Sequence, residues 1–130
     1  METENLIILD TDVLIELQKR NEPVVSLVRA IGEKKIAVTK VSVFEMYVGA
    51  FNKNELIKIK HFLDKFPKIE LYDKIIDLAI ELVYEYKLSH SLFINDAIIA
   101  ASAIYYDLEL FTLNIKDYKF IPKLKLYKLN

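Results

Sequence analysis

The sequence predicts an α/β fold in which a mostly parallel, five-stranded sheet is covered by helices on both faces. Two observations lead there. Short apolar runs alternate with helical segments along the chain, and several runs are continuous enough to suit strands buried on both sides. A third is compositional: two Gly and three Pro among 130 residues leave little material for long loops. The length and the absence of any repeat, linker or low-complexity segment predict one domain over residues 1–130.

The elements follow in order. Leu6–Leu9 is an apolar run ending at Asp10, the first strand, and Thr11 and Asp12 can both cap a helix over about Val13–Arg20. Pro23 opens a second helix reaching about Glu33, with Gly32 near its end. Ile36–Val41 is the second strand, followed by a helix from Ser42 to about Phe51 and another over Glu55–Lys65. Ile69–Tyr72 is the third strand, and Asp73 caps a helix over Lys74–Lys87 whose Ile76, Ala79, Ile80 and Val83 recur at helical spacing. Asp96–Tyr106 is a helix with almost no polar face between Ala97 and Ala101, which predicts a central position. Leu110–Leu113 is the fourth strand, Asn114–Lys119 a turn, and Leu124–Leu129 alternates as an edge strand with one wet face.

Composition excludes several functions. With no Cys there is no disulfide, thiolate metal site or Cys nucleophile, and a reducing compartment is consistent. At 53% hydrophobic and 28% charged the chain is globular. A net charge of −1 is low for a protein that holds nucleic acid by electrostatics alone, so local Lys clusters or a metal would have to supply the attraction. No apolar stretch has the length of a membrane span, and METENLIILD lacks the features of a signal peptide, so the expectation is a cytoplasmic protein with no membrane partner.

Chemistry concentrates in four acids. In a parallel α/β sheet, strand C-termini and the starts of the following helices share one edge, where open sheets bind ligands. Asp10 ends strand one, Glu45 falls in the first turn after strand two, Asp96 starts the helix leading to strand four, and Asp117 follows strand four. Four converging carboxylates repel one another, and helix dipoles offset only about 0.3–1 kcal/mol each. A hard divalent cation, Mg²⁺ or Mn²⁺, resolves that conflict with oxygen ligands. Each acid also has a purely structural reading. Asp10 and Asn95–Asp96 are plausible helix caps, Ser42-Val43-Phe44-Glu45 matches the S-x-x-E capping box, and Asp117 suits a solvated turn. The argument for a site is their conjunction at one edge.

Four stretches resemble the PIN-domain family, and within it the VapC-like toxins of toxin–antitoxin pairs. LIILDTDVLIEL (Leu6–Leu17) is similar to the opening D-T-N/D-x-L-I strand, and VSVFEMYVGA (Val41–Ala50) to the segment carrying the second acid. INDAIIAASAIYYDLELFTLN (Ile94–Asn114) is similar to the D-x-x-I-A-A-x-A helix and T-x-N strand end, and NIKDYKFIPKLKLYKL (Asn114–Leu129) to the N-x-x-D-F turn and last strand. The resemblance implies strand order 3-2-1-4-5, Mg²⁺- or Mn²⁺-dependent endoribonuclease activity leaving a 5′-phosphate and a 3′-hydroxyl, a homodimer, and inhibition by a cognate antitoxin.

It also implies roles for particular residues. Asp10, Glu45 and Asp96 carry over as metal-binding acids, and Asp117 shares the fourth position with Asn114, since members place that acid at either site. Asp10 and Asp96 would hold the metal directly, Glu45 and Asp117 through water or a second site, while Thr11 and Asn114 would position water or the scissile phosphate. Asp12 stands where many members have Asn, and Tyr118 stands where Phe is common and reads as a minor change. Lys116, Lys119 and Lys123 can meet an RNA backbone or form a solvated turn; Tyr47 and Phe51 can line an antitoxin groove or belong to the core. His61 and His90 read as surface residues with no catalytic part.

Other classes fit less well. Asp10-Thr-Asp12 matches the D-x-D start of dehalogenase-like phosphatases, but Leu14 stands where those have Thr or Val. A receiver-like domain wants adjacent acids after strand one and a phosphoacceptor after strand three, for which Asp73 is poorly placed. A catalytically silent binding module of the same fold remains the alternative to the enzyme.

Overall fold

The computed structural model describes residues 5–32 and 35–128. Its sheet is parallel with strand order β3-β2-β1-β4, formed by β1 (Ile7–Leu9), β2 (Ile36–Thr39), β3 (Lys68–Ile69) and β4 (Glu109–Phe111). Six α-helices are described: α1 (Thr11–Gln18), α2 (Glu22–Ile31), α3 (Lys40–Val48), α4 (Lys53–Leu63), α5 (Asp73–His90) and α6 (Ile94–Tyr106).

Side chains alternate across the strands and divide the core in two. Ile8, Ala37 and Leu110 join one apolar cluster with residues of α5 and α6; Leu9, Ile36, Val38 and Phe111 join the other with residues of α1, α2 and α4. Among the described helices α6 is the most buried: Ala97, Ile99, Ala100 and Ala101 are fully buried, as its sequence predicts. It packs along α5, where small side chains let two helices approach closely.

The fifth strand is a correction. Among the described residues of the expected Leu124–Leu129 strand, only Leu126 pairs with the sheet, by a parallel bridge to Leu110. Leu110 donates its N–H to the Lys125 carbonyl at 2.9 Å and accepts from the Tyr127 N–H at 2.8 Å. The segment therefore lies beside β4, where order 3-2-1-4-5 puts it, but the ladder is one bridge long. Pro122 has no N–H to give, and a turn at Pro122–Lys123 delays the chain's arrival at the edge. Leu129 and, at the end of the expected second helix, Glu33 lie outside the described residues.

Several helix starts also shift. Asp10, not Thr11 or Asp12, is the N-cap of α1, its carboxylate accepting from the Thr11 N–H. Thr39 rather than Ser42 caps α3, accepting from the Ser42 N–H at 3.2 Å. The chain turns straight from strand to helix there, so Val41 is a buried helical residue although VTKV reads locally as strand. The Ser42–Glu45 capping box is consequently not formed, and Glu45 stands in the second turn of α3. Asn95 is no cap either, since α6 begins at Ile94 after an N-cap at Phe93. Asp73 is the first residue of α5, behind an N-cap at Tyr72.

Candidate functional site

Strand β1 is the switch point of the sheet: β2 and β3 lie to one side, β4 to the other. At its C-terminal end Asp10 donates its N–H to the Phe111 carbonyl at 2.9 Å, tying the ends of β1 and β4 together. A cleft of about 230 Å³ opens there, lined by Asp10, Thr11, Asp12, Glu45, Asp96, Asn114, Asp117 and Tyr118, with Ile15. All six site residues expected from the sequence are among them, so the structure brings the full set to one place.

The floor of the cleft is tightly bonded. Asp10 is buried; its Oδ1 accepts from the Thr11 N–H at 2.9 Å and from the Tyr118 hydroxyl at 3.2 Å, and its Oδ2 from the Thr112 hydroxyl at 2.8 Å. The Tyr118 hydroxyl also meets Asp96 Oδ1 at 3.1 Å. Asp12 Oδ2 accepts from Asn114 Nδ2 at 2.8 Å and from the Leu113 N–H at 3.1 Å. On the α3 side the Thr11 hydroxyl donates to Glu45 Oε1 at 2.6 Å and lies 2.8 Å from Ser42 Oγ, while Asn95 Nδ2 donates to Glu45 Oε2 at 3.3 Å. Thr11 thus orients Glu45, and the Asn114 amide orients Asp12. Asp117 sits exposed in a 3₁₀ turn, Ile115–Asp117.

The electrostatics follow from this crowding. Burial, and then the charges of Asp12 and Asp96, push Asp10 up to about 7, against the hydrogen bonds from Thr112 and Thr11. Burial also raises Asp12, opposed by the Leu113 N–H. Asp96 is raised by burial and by the charges of Glu45, Asp117 and Asp12, opposed by the Tyr118 hydrogen bond. Burial and the two carboxylates push the Tyr118 hydroxyl far up, so it stays a protonated donor.

A cluster that resists ionisation in this way favours a bound cation. The donors are all oxygen, which suits a hard divalent ion. Asp12 Oδ1 is buried with no hydrogen-bond partner among the described residues. Among those residues, no three acids enclose a single point closely enough to form a ready-made ion cage. The cleft instead has room for several waters at ~30 Å³ each, and Mg²⁺ characteristically keeps part of its hydration shell.

Two residues at the centre escape a reading of the sequence. Thr112, the buried donor to Asp10, is visible only as the T of a T-x-N strand end. Tyr118 reads as a minor aromatic exchange, yet its hydroxyl joins two acids. Of the peripheral candidates, Lys116 and Lys119 are exposed in and beside the cleft's turn, whereas Lys123 is exposed against α5 and the C-terminal part of α6, away from the acids. Tyr47 packs half-buried against the second core cluster, whereas Phe51 is 90% exposed and no part of the core. His61 is exposed on α4, and His90 is exposed at the end of α5, stacked on Phe120.

Fold and cleft together define an open parallel α/β protein with a carboxylate-lined site at its switch point. Residues 7–120 match the PIN domain, and the chain belongs to the PIN-domain family. Its similarity is to the VapC branch. Ribonuclease VapC3 of Methanocaldococcus jannaschii is 33% identical over 67 residues, 52% of this chain and 64% of that protein, so the match spans just under two thirds of that relative. A chain of a toxin–antitoxin complex from Klebsiella pneumoniae superposes with a TM-score of 0.76 and 27% identity, over 95% of this chain and 99% of that one. A chain of VapBC2 from Rickettsia felis, bound to a DNA fragment from its promoter, gives 0.78 and 25%, over 96% and 99%.

Proposed function

We propose that this protein is a metal-dependent endoribonuclease, the toxin of a toxin–antitoxin pair. The observation that carries the reading is the convergence of Asp10, Glu45, Asp96 and Asp117 on one cleft at the β1/β4 switch point. Asp10 and Asp96 would hold Mg²⁺ or Mn²⁺ directly, with Glu45 and Asp117 completing the site through water. When bound, the ion makes a water more acidic and stabilises charge on a phosphoryl oxygen. The chain's own contribution is positional. Tyr118 and Thr112 hold Asp10, Thr11 and Asn95 hold Glu45, and the exposed Lys116 and Lys119 beside the cleft can meet RNA phosphates.

Two surfaces support the proposed partners. A cleft of about 240 Å³ between α1, α2 and α4 has an apolar floor of Leu17, Val28 and Phe66 beneath Arg20, Arg29 and Lys65, which suits an acidic amphipathic antitoxin segment. Neither Tyr47 nor Phe51 lines it. On α5, Ile80, Tyr84 and Leu88 recur every four residues and are 62%, 89% and 98% exposed, an apolar stripe that suits a homodimer contact.

The test is RNA cleavage by the purified protein with Mn²⁺, with EDTA, and by Asp96→Asn. We expect cleavage with Mn²⁺ alone and none in the other two. Cleavage that survives both EDTA and the substitution would overturn the reading. Metal binding without cleavage of any RNA would favour the silent binding module.

A further inference from the structure

We propose that Tyr118 is a positioning residue that sets the spacing of Asp10 and Asp96 through one shared hydroxyl; this rests on the metal-nuclease reading above. The hydroxyl oxygen lies 3.2 Å from Asp10 Oδ1 and 3.1 Å from Asp96 Oδ1. Asp10 comes from the end of β1 and Asp96 from the first turn of α6, so the contact joins two elements far apart in the chain.

The oxygen is itself firmly held. Tyr118 is 1% exposed, and its ring belongs to the core cluster that contains Ile99, Ala100 and Leu110. Its backbone N–H donates to the Ile115 carbonyl, and its carbonyl accepts from the Ile121 N–H, each at 3.0 Å. The phenol is therefore a rigid strut reaching from the core into the cleft. A hydroxyl has one proton, so it donates to one carboxylate at a time while staying in contact with the other.

The two acids depend on the strut unequally. Asp10 has two other donors, the Thr11 N–H and the Thr112 hydroxyl. For the Asp96 carboxylate, Tyr118 is the only donor among the described residues. Removing the hydroxyl should leave Asp10 in place and release Asp96. Groups that orient metal ligands in this way typically contribute 10–100-fold to metal affinity or activity.

The experiment compares wild type with Tyr118→Phe, which keeps the ring and deletes one oxygen. Mn²⁺ affinity is measured by titration calorimetry, kcat and KM by RNA cleavage, and the metal-free fold by thermal melting. The expected result is a Kd for Mn²⁺ raised about 10-fold or more, a fall in kcat, an unchanged KM for RNA, and a metal-free melting temperature close to wild type. Equal Mn²⁺ affinity and kcat in the two proteins overturns the proposal and leaves the nuclease reading standing. A wild type that binds no Mn²⁺ overturns both. If the variant does not fold, 3-fluorotyrosine-labelled wild type decides: one tyrosine ¹⁹F resonance should shift with Mg²⁺ at the midpoint of binding. The absence of any such resonance overturns the proposal.

Discussion

Asp10 and Asp117 line the same cleft on opposite terms. Asp10 is 6% exposed, ends the central strand, and has a donor for each oxygen. Asp117 is exposed on a one-turn 3₁₀ segment, with no side-chain hydrogen bond among the described residues. The floor acid is fixed before anything binds, at the cost of being pushed up to about 7 by burial. The rim acid is free to move toward what arrives. The difference teaches how one fold can carry a rigid half-site and an adaptable one: sheet and core set the first, and a turn sets the second.

The largest test of this contrast is cleavage by variants of the floor. Asp10→Asn and Asp96→Asn should each lower cleavage by at least about 10³-fold, beyond the 10–100-fold typical of groups behind a ligand. Asp117→Asn should fall within that smaller ~10–100-fold range, as a rim residue that acts through water would. Equal losses at Asp10 and Asp117, in single-turnover assays with saturating Mn²⁺, would erase the distinction.

Next comes the strain of burying an acid. Asp10 has a folded value near 7 against an ordinary 3.8, so between those values the folded state binds more protons than the unfolded one. Stability of the metal-free protein should therefore fall as pH rises from about 4 to 7, the reverse of a salt-bridged carboxylate. Thermal melts in EDTA at pH 5.5 and 7.5 check the sign. Asp10→Asn should melt higher than wild type at pH 7.5 and show a flatter pH profile, trading activity for stability.

Smaller effects sharpen the picture of the floor. Thr112→Val deletes the donor to Asp10 Oδ2 and should cost about 1–3 kcal/mol in urea unfolding, the usual penalty for an orphaned buried acceptor. Asp12→Asn keeps an acceptor for the Leu113 N–H and removes one charge beside Asp10. Its effect on cleavage should be the smallest of the set, with the pH dependence of metal-free melting displaced to lower pH.

Much of this was legible from local patterns. The continuous apolar run before Asp10 marks a buried strand, and the alanine-rich stretch after Asp96 marks a central helix, because periodicity and burial are written into a few neighbouring residues. From that alternation alone the sequence determined the layered α/β fold and the edge on which Asp10, Glu45, Asp96 and Asp117 meet. What it could not determine depends on partners distant in the chain. The roles of Thr39 and Ser42 were settled by where β2 ends against the core. Glu45 is held by Thr11 from 34 residues away, and Asp10 by Thr112 and Tyr118 from 102 and 108. Local propensity says nothing about such pairs, because a hydrogen bond between remote groups exists only once the strands have paired and the helices have docked. The fifth strand differs: the alternation of Leu124–Leu129 offers a strand, but the turn at Pro122–Lys123 just before it leaves one bridge to Leu110, so there a neighbouring residue limited what the pattern could form.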